Sequence, residues 1–259
     1  MELRPLGATG ILVSPLGLGT VKLGRNQQVK YPHPFNIPDD AAVVKLLSLA
    51  RELGINLLDT APAYGTSEQR LGQLLPGPRE EWVIVSKVGE FFKEGKSYFD
   101  FSYDTTIRTV EQSLRNLKTD YLDAVLIHSD GDDCRILKEE GVLDALHLLK
   151  ERGLIRAHGM SGKTVAGGLQ AVVDTDIVMV TCNPAHQDEI PVLKAAAKQN
   201  KGVLIKKALQ SGHGSVEEAM RFIFAQPGVS SAIVGTINPM HLKSNVMELD
   251  AVLATIIFR

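Results

Sequence analysis

An α/β fold of the (β/α)8 TIM-barrel type with an N-terminal β-hairpin is what this 259-residue sequence predicts, and three observations carry the prediction. Eight short apolar runs of strand length recur along the chain. Segments whose apolar residues recur at helical spacing separate them. The glycine signature of an open doubly wound sheet, the main alternative, is incomplete.

The hairpin comes first and turns at Gly7-Ala8-Thr9-Gly10. The eight runs follow as Pro15–Thr20, Ile55–Asp59, Trp82–Lys87, Leu122–His128, Ile155–Ser161, Ile177–Cys182, Gly202–Lys206 and Ser231–Gly235. Between them, Ala42, Leu46, Leu49, Ala50 and Leu53 mark one helical face, and Ile107, Val110, Leu114 and Leu117 another. Asp39 is placed to cap the first helix, Ser215 with Glu218 makes a capping box, and Gly153 after Lys150-Glu151-Arg152 reads as a stop. A doubly wound sheet would open on Gly-x-Gly-x-x-Gly, but Gly17-Leu18-Gly19-Thr20 lacks the third glycine. The acidic strand end Asp59 lies about 40 residues on instead of the ~20 of that motif.

Composition narrows the function. With 44% hydrophobic and 22% charged residues the chain can bury a sizeable core, and one domain over residues 1–259 is expected. A formal charge of −2 with no basic block argues against nucleic acid or anionic lipid as a partner and leaves small molecules. Cys134 and Cys182 match neither a zinc spacing nor a disulfide framework, so free thiols in a reducing compartment are expected. The N-terminus lacks a basic segment followed by an apolar one, and no run approaches the ~20 apolar residues of a membrane span. A cytoplasmic monomer is the expectation.

Two long connections, Arg25–Pro38 and Val88–Tyr103, carry Tyr31, Phe35, Phe91, Phe92, Tyr98, Phe99, Phe101 and Tyr103 in a chain only 5% aromatic. Loops after strands open on the catalytic face of a barrel, so Tyr31, Phe35, Phe91 and Phe92 are candidate substrate contacts at a pocket mouth. Packing of these rings onto the barrel rim is the alternative.

Asp59, Lys87 and His128 end the second, third and fourth runs, and Tyr64 follows closely on the second. Adjacent barrel strands bring such side chains together at one face. A free phenol, with a pKa near 10, is a poor acid at neutral pH. An ammonium beside it favours the phenolate, and a carboxylate paired with that ammonium holds it charged and in place. His128 from the neighbouring strand can hydrogen-bond the same oxygen, so the group suits proton donation to an oxygen that becomes negative. Singly, each residue has a structural explanation: a turn cap, a snorkelling lysine, a loop tyrosine, a core histidine.

The segment Leu57-Leu58-Asp59-Thr60-Ala61-Pro62-Ala63-Tyr64-Gly65, with Val85-Ser86-Lys87 and Leu126-Ile127-His128, resembles the aldo-keto reductase family. Ser113-Leu114-Arg115-Asn116-Leu117-Lys118-Thr119-Asp120-Tyr121-Leu122-Asp123 matches a second signature of that family, and the resemblance runs from the hairpin to about Asn245. It implies a barrel that reduces aldehydes and ketones with NADPH and without a Rossmann domain. By that resemblance Tyr64 is the proton donor, Asp59 and Lys87 tune it, and His128 orients the carbonyl.

Hydride must come from a nicotinamide, since no side chain delivers it. Barrels favour a phosphate site in the loops after the last two strands, here Lys206 to Ser215 and Gly235 to Pro239. The cofactor-binding set read in this way is Gly19, Thr20, Asp59, Ser161, Lys206, Ser211, Gly212, Gly235, Thr236, His241 and Asn245. The family pattern is not kept throughout. Gly162 follows Ser161 where the family has asparagine, Met179 replaces a glutamine, and Lys206 stands where an aromatic ring stacks on nicotinamide. His241 stands in place of an arginine that grips the 2′-phosphate, which makes NADH an alternative to NADPH. The long C-terminal loop of many members is also expected to be absent, which leaves substrate selection to the two aromatic connections.

Two other functions compete: a Schiff-base lyase using Lys87 or Lys206, and a nicotinamide-binding sensor or partner subunit with negligible turnover. No metal site is expected, because the remaining histidines show no ligand spacing and Asp130-Gly131-Asp132-Asp133, which lacks the rest of a calcium loop, reads as a solvated loop.

Overall fold

The computed structural model describes residues 1–29, 31, 33–210 and 214–257. After an antiparallel hairpin, β1 (Arg4–Pro5) and β2 (Leu12–Val13), eight strands close into a barrel. In chain order these are β3 (Leu16–Gly19), β4 (Leu57–Asp59), β5 (Val83–Val88), β8 (Leu122–His128), β9 (Ile155–Ser161), β10 (Ile177–Thr181), β11 (Gly202–Lys206) and β12 (Ser231–Val234). All pair in parallel, and β12 returns to β3 to complete the circle. Each falls within or within one residue of a run expected from sequence.

Helices fill the crossovers, among them α2 (Asp40–Glu52), α3 (Ser67–Leu74), α4 (Tyr103–Leu117) and α7 (Val165–Asp174), and α10 (Pro239–Ile257) follows the last strand. Their ends follow the expected chemistry. Asp39 Oδ1 accepts from the Ala42 amide at 2.7 Å, Ser215 Oγ from the Glu218 amide at 3.4 Å, and Gly153 adopts φ +72°.

The core has two parts. One lies between barrel and helices and contains Leu18, Leu46, Val110, Leu146 and Leu249. The other fills the barrel: Leu57, Val83, Val85, Ala124, Leu126, Ala157, Ile177, Met179, Leu204 and Ile233, closed at one end by Leu6, Ile11 and Val13 of the hairpin segment. Gly17 belongs to this inner layer by necessity, since a Cβ there would lie 2.6 Å from Ile233 Cδ1. Side chains alternate along a strand, so residues two positions beyond this packing also point inward. Asp59 follows Leu57, Lys87 follows Val85, His128 follows Leu126, Thr181 follows Met179, and Lys206 follows Leu204. The last inward position of each of these five strands carries a polar group.

One connection expected to be an irregular loop is a hairpin, β6 (Glu90–Lys93) with β7 (Lys96–Phe99). Its two-residue turn is Glu94-Gly95, both with positive φ (+53° and +76°), as a primed turn requires. The first of those positions is usually Asn, Asp or Gly, so a glutamate there hid the turn.

Candidate active site

Above the inner core opens a cavity of about 950 Å³, lined by Asp59, Tyr64, Lys87 and His128 together with the ends of β9 to β12. Lys87 is 2% exposed, and its Nζ donates to Asp59 Oδ1 at 2.5 Å and to the Thr60 carbonyl at 2.9 Å. The ammonium faces the Tyr64 ring, 4.9 Å from its centroid. The ring meets His128 edge-on, with centroids 6.2 Å apart at 88°.

Tyr64 ends a 3-10 turn, Pro62–Tyr64, pressed against the end of α1 (Val21–Gly24). Two glycines allow that approach: a Cβ on Gly65, whose φ is +63°, would lie 2.1 Å from the Gly24 carbonyl oxygen, and one on Gly24 would meet Tyr64 O at 2.4 Å. Burial raises the Tyr64 phenol well above its ordinary pKa; Asp59 and Glu90 push the same way, and Arg25 opposes them. Lys87 is not among the groups that set this direction. Lys87 spends hydrogen bonds on Asp59 and Thr60, and two carboxylates surround the phenol.

Glu90, the first residue of β6, escaped sequence reading because it lies in the hidden hairpin. Its Oε2 is 2.8 Å from His128 Nδ1, off the ring N–H direction, while its other oxygen accepts from Ser97 Oγ at 2.6 Å and lies 3.7 Å from Arg25 Nη1. Burial works against ionisation of Glu90, but His128, Ser97 and Arg25 outweigh it and hold the carboxyl at about 2. His128 itself is pushed down by burial and by Lys87 and Lys206, with Glu90 opposing.

On the opposite wall Lys206 Nζ donates to Ser161 Oγ at 3.0 Å and to the Gly162 carbonyl. Burial pushes this ammonium down to about 8, with Glu189 opposing. Glu189 is 8% exposed and lines the cavity; Oε1 accepts from the Thr181 amide at 3.0 Å, while buried Oε2 has no partner among the described residues. Burial raises the Glu189 carboxyl. Neither Glu189 nor Thr181 was read as a site residue; the inward parity of β10 was the signal for Thr181.

A model of the aldo/keto reductase family matches residues 15–218. The chain belongs to this family. The uncharacterized oxidoreductase YqkF of Bacillus subtilis is 26% identical over 97% of the chain and 92% of its own length. L-galactose dehydrogenase of Arabidopsis thaliana is 37% identical over 62% of the chain, which spans 49% of that enzyme's length. Among solved structures, the candidate aldo-keto reductase PA4992 of Pseudomonas aeruginosa superposes with a TM-score of 0.90 at 55% identity, covering 97% of this chain and 96% of the other. The family uses nicotinamide cofactors, and the other expected site residues fall as follows.

Gly19, Thr20, Ser161, Lys206, Gly235, Thr236, His241 and Asn245 all line the cavity, while Ser211 and Gly212 lie outside the described residues. Thr20 is fully buried, its amide and hydroxyl both donating to the Asp59 carbonyl at 2.9 Å. Tyr31 lines the cavity and crosses its mouth: a Cβ on Gly235 would lie 2.6 Å from the Tyr31 hydroxyl. Phe35 stands behind it, edge-on at 5.7 Å, with Lys22 Nζ 3.8 Å from the Tyr31 centroid. Phe91 and Phe92 belong to the β6–β7 hairpin and do not line the cavity; Phe92 packs under the Arg25 guanidinium at 3.4 Å.

Asp133 also departs from expectation. It is 1% exposed at the start of α5 (Asp133–Glu139), not solvated. Its carboxylate accepts from Ser129 Oγ, and Oδ2 accepts from the Lys163 amide, the Thr164 amide and Thr164 Oγ, each at 2.8 Å. It thereby fixes the loop that runs from Gly162 after β9, next to Ser161 at the strand end. No group of three or more acidic, His or Cys side chains among the described residues is arranged to hold a metal, and no helix there is long and apolar enough to cross a membrane.

Proposed function

We propose that the protein reduces small aldehydes or ketones to alcohols, with Tyr64 as the proton donor. What carries the reading is the junction of a raised, protonated phenol, an Asp59-anchored ammonium and an imidazole at one cavity floor.

The cavity fits a nicotinamide dinucleotide. The orphaned Glu189 Oε2 is an acceptor, and Lys206 with Ser161 supplies donors, the pattern that a primary carboxamide complements. Asn245, Thr236 and the N-terminus of α10 face the end where phosphates would lie, near Gly235. The bound cofactor supplies hydride to the carbonyl carbon. Tyr64 then gives its proton to the carbonyl oxygen, and the Lys87 ammonium, held by Asp59, offsets the charge left on the phenol. Tyr31 across the mouth keeps water from the reacting oxygen. No arginine lines the cavity among the described residues, so discrimination between NADPH and NADH is small.

An assay of NADPH and NADH oxidation against a panel of aldehydes tests the proposal. The wild type turns over, and Tyr64→Phe loses about 100-fold or more in kcat/KM while still quenching with NADPH. Full activity in Tyr64→Phe would remove the proton-donor assignment. A second reading, Schiff-base chemistry at Lys206, draws on the pKa of about 8 at that ammonium; borohydride trapping of an aldehyde on Lys206 would favour it over hydride transfer.

A further inference from the structure

We propose that Glu90 fixes the single proton of neutral His128 on Nδ1, so that the imidazole donates to a substrate carbonyl only after taking up a second proton on Nε2. Glu90 is a positioning residue in this scheme, and the inference rests on the carbonyl-reduction reading above.

Burial and a close carboxylate favour the assignment. His128 Nδ1 is buried, and the one described acceptor near it is Glu90 Oε2 at 2.8 Å. The contact is off the ring N–H axis, so it acts through charge: at 2.8 Å an ionised carboxylate favours the positive N–H over a lone pair on Nδ1. Glu90 is held ionised by Ser97 and Arg25 as well as by His128, which leaves the proton on the ring. Neutral imidazole carries one N–H, so with Nδ1 protonated Nε2 is bare. Nε2 has no partner among the described residues, and His128 lines the cavity; Nε2 is the nitrogen left for a ligand.

The charged groups facing His128 are Glu90 on β6, Lys87 on β5 and Lys206 on β11, with the Tyr64 phenol against its ring and Arg25 acting through Glu90. The two ammonium groups and burial hold the ring neutral, and Glu90 opposes them. In the reaction, hydride goes to the carbonyl carbon and the Tyr64 proton to the oxygen. The added proton of His128 stays on Nε2 and is only shared in a hydrogen bond. Reduction therefore speeds up as pH falls through the imidazole pKa.

The test uses the full-length protein labelled with 15N-histidine, with His128→Asn to assign the resonance. Long-range proton–nitrogen spectra between pH 5 and 9, without cofactor, should show the Nδ1–H tautomer in the wild type and a shift toward Nε2–H in Glu90→Gln and Glu90→Leu. In parallel, kcat/KM for a small aldehyde at saturating NADPH should rise about tenfold or more toward low pH in the wild type and be nearly flat in Glu90→Gln, whose neutral ring can already donate from Nε2. An Nε2–H tautomer in the wild type overturns the proposal, even if neither variant folds. So does an unchanged pH profile in Glu90→Gln. Failure to reduce any aldehyde overturns the reductase reading instead, and the spectra still decide the tautomer.

Discussion

The ammonium of Lys87 stands 2.5 Å from Asp59 Oδ1 where both side chains are almost wholly removed from water. Such a pair gives little net stability when intact, because desolvation offsets attraction, but removing one partner leaves a buried charge. Asp59→Ala should therefore cost about 3–5 kcal/mol in urea unfolding, and Lys87→Met a comparable amount. The double variant should cost clearly less than the sum; additive losses would show that the pair is not coupled.

Asp133 carries a second buried carboxylate with a different task, because it accepts hydrogen bonds from Ser129, Lys163 and Thr164. Charge-assisted bonds of this kind contribute about 1.5–3 kcal/mol each. Asp133→Ala should lower stability by at least about 3 kcal/mol and weaken NADPH binding, read by fluorescence titration, because Ser161 and Gly162 lose their support. Binding that stays unchanged in a folded variant would separate Asp133 from the cavity.

Gly17 and Ile233 give a packing prediction. A methyl on Gly17 has 2.6 Å to Ile233 Cδ1, so Gly17→Ala should cost about 1–3 kcal/mol by overpacking. Adding Ile233→Val removes that Cδ1 and should restore part of the loss, measured by thermal melts.

Lys206 gives a pH dependence. Its folded value of about 8 lies below the ordinary 10.5, so the folded state releases this proton first as pH rises. Stability linked to this group therefore grows between about pH 8 and 10.5 and is lost as pH falls through 8. Between pH 7.5 and 10, wild type should gain about 1–2 kcal/mol over Lys206→Met, after discounting for partial exposure. Parallel curves in urea would contradict the low value.

The barrel was legible because each strand is a short apolar run, and β8, β9 and β11 match their expected bounds at both ends. Asp59, Lys87 and His128 were legible for a related reason: a polar side chain ending such a run stands out against it. Glu90 and Glu189 were not, since each reaches the cavity from a connection whose path depends on long-range packing, and nothing local marks them as different from surface glutamates. Asp133 misled because an acidic cluster in sequence usually means solvent, whereas here amides of the loop after β9 converge on one member of it. For Phe91 and Phe92 the turn at Glu94-Gly95 was the missing signal: it folds their segment into a hairpin, and neither residue lines the cavity.

Leu6, Ile11 and Val13 stopper the barrel at the end opposite the loops that follow the strands, and that imposes a rule of traffic. Molecules that reach Ser161 or His128 come from the face of the barrel that carries Tyr31, not through the stoppered end. Whatever binds above the floor on that face covers what lies beneath it.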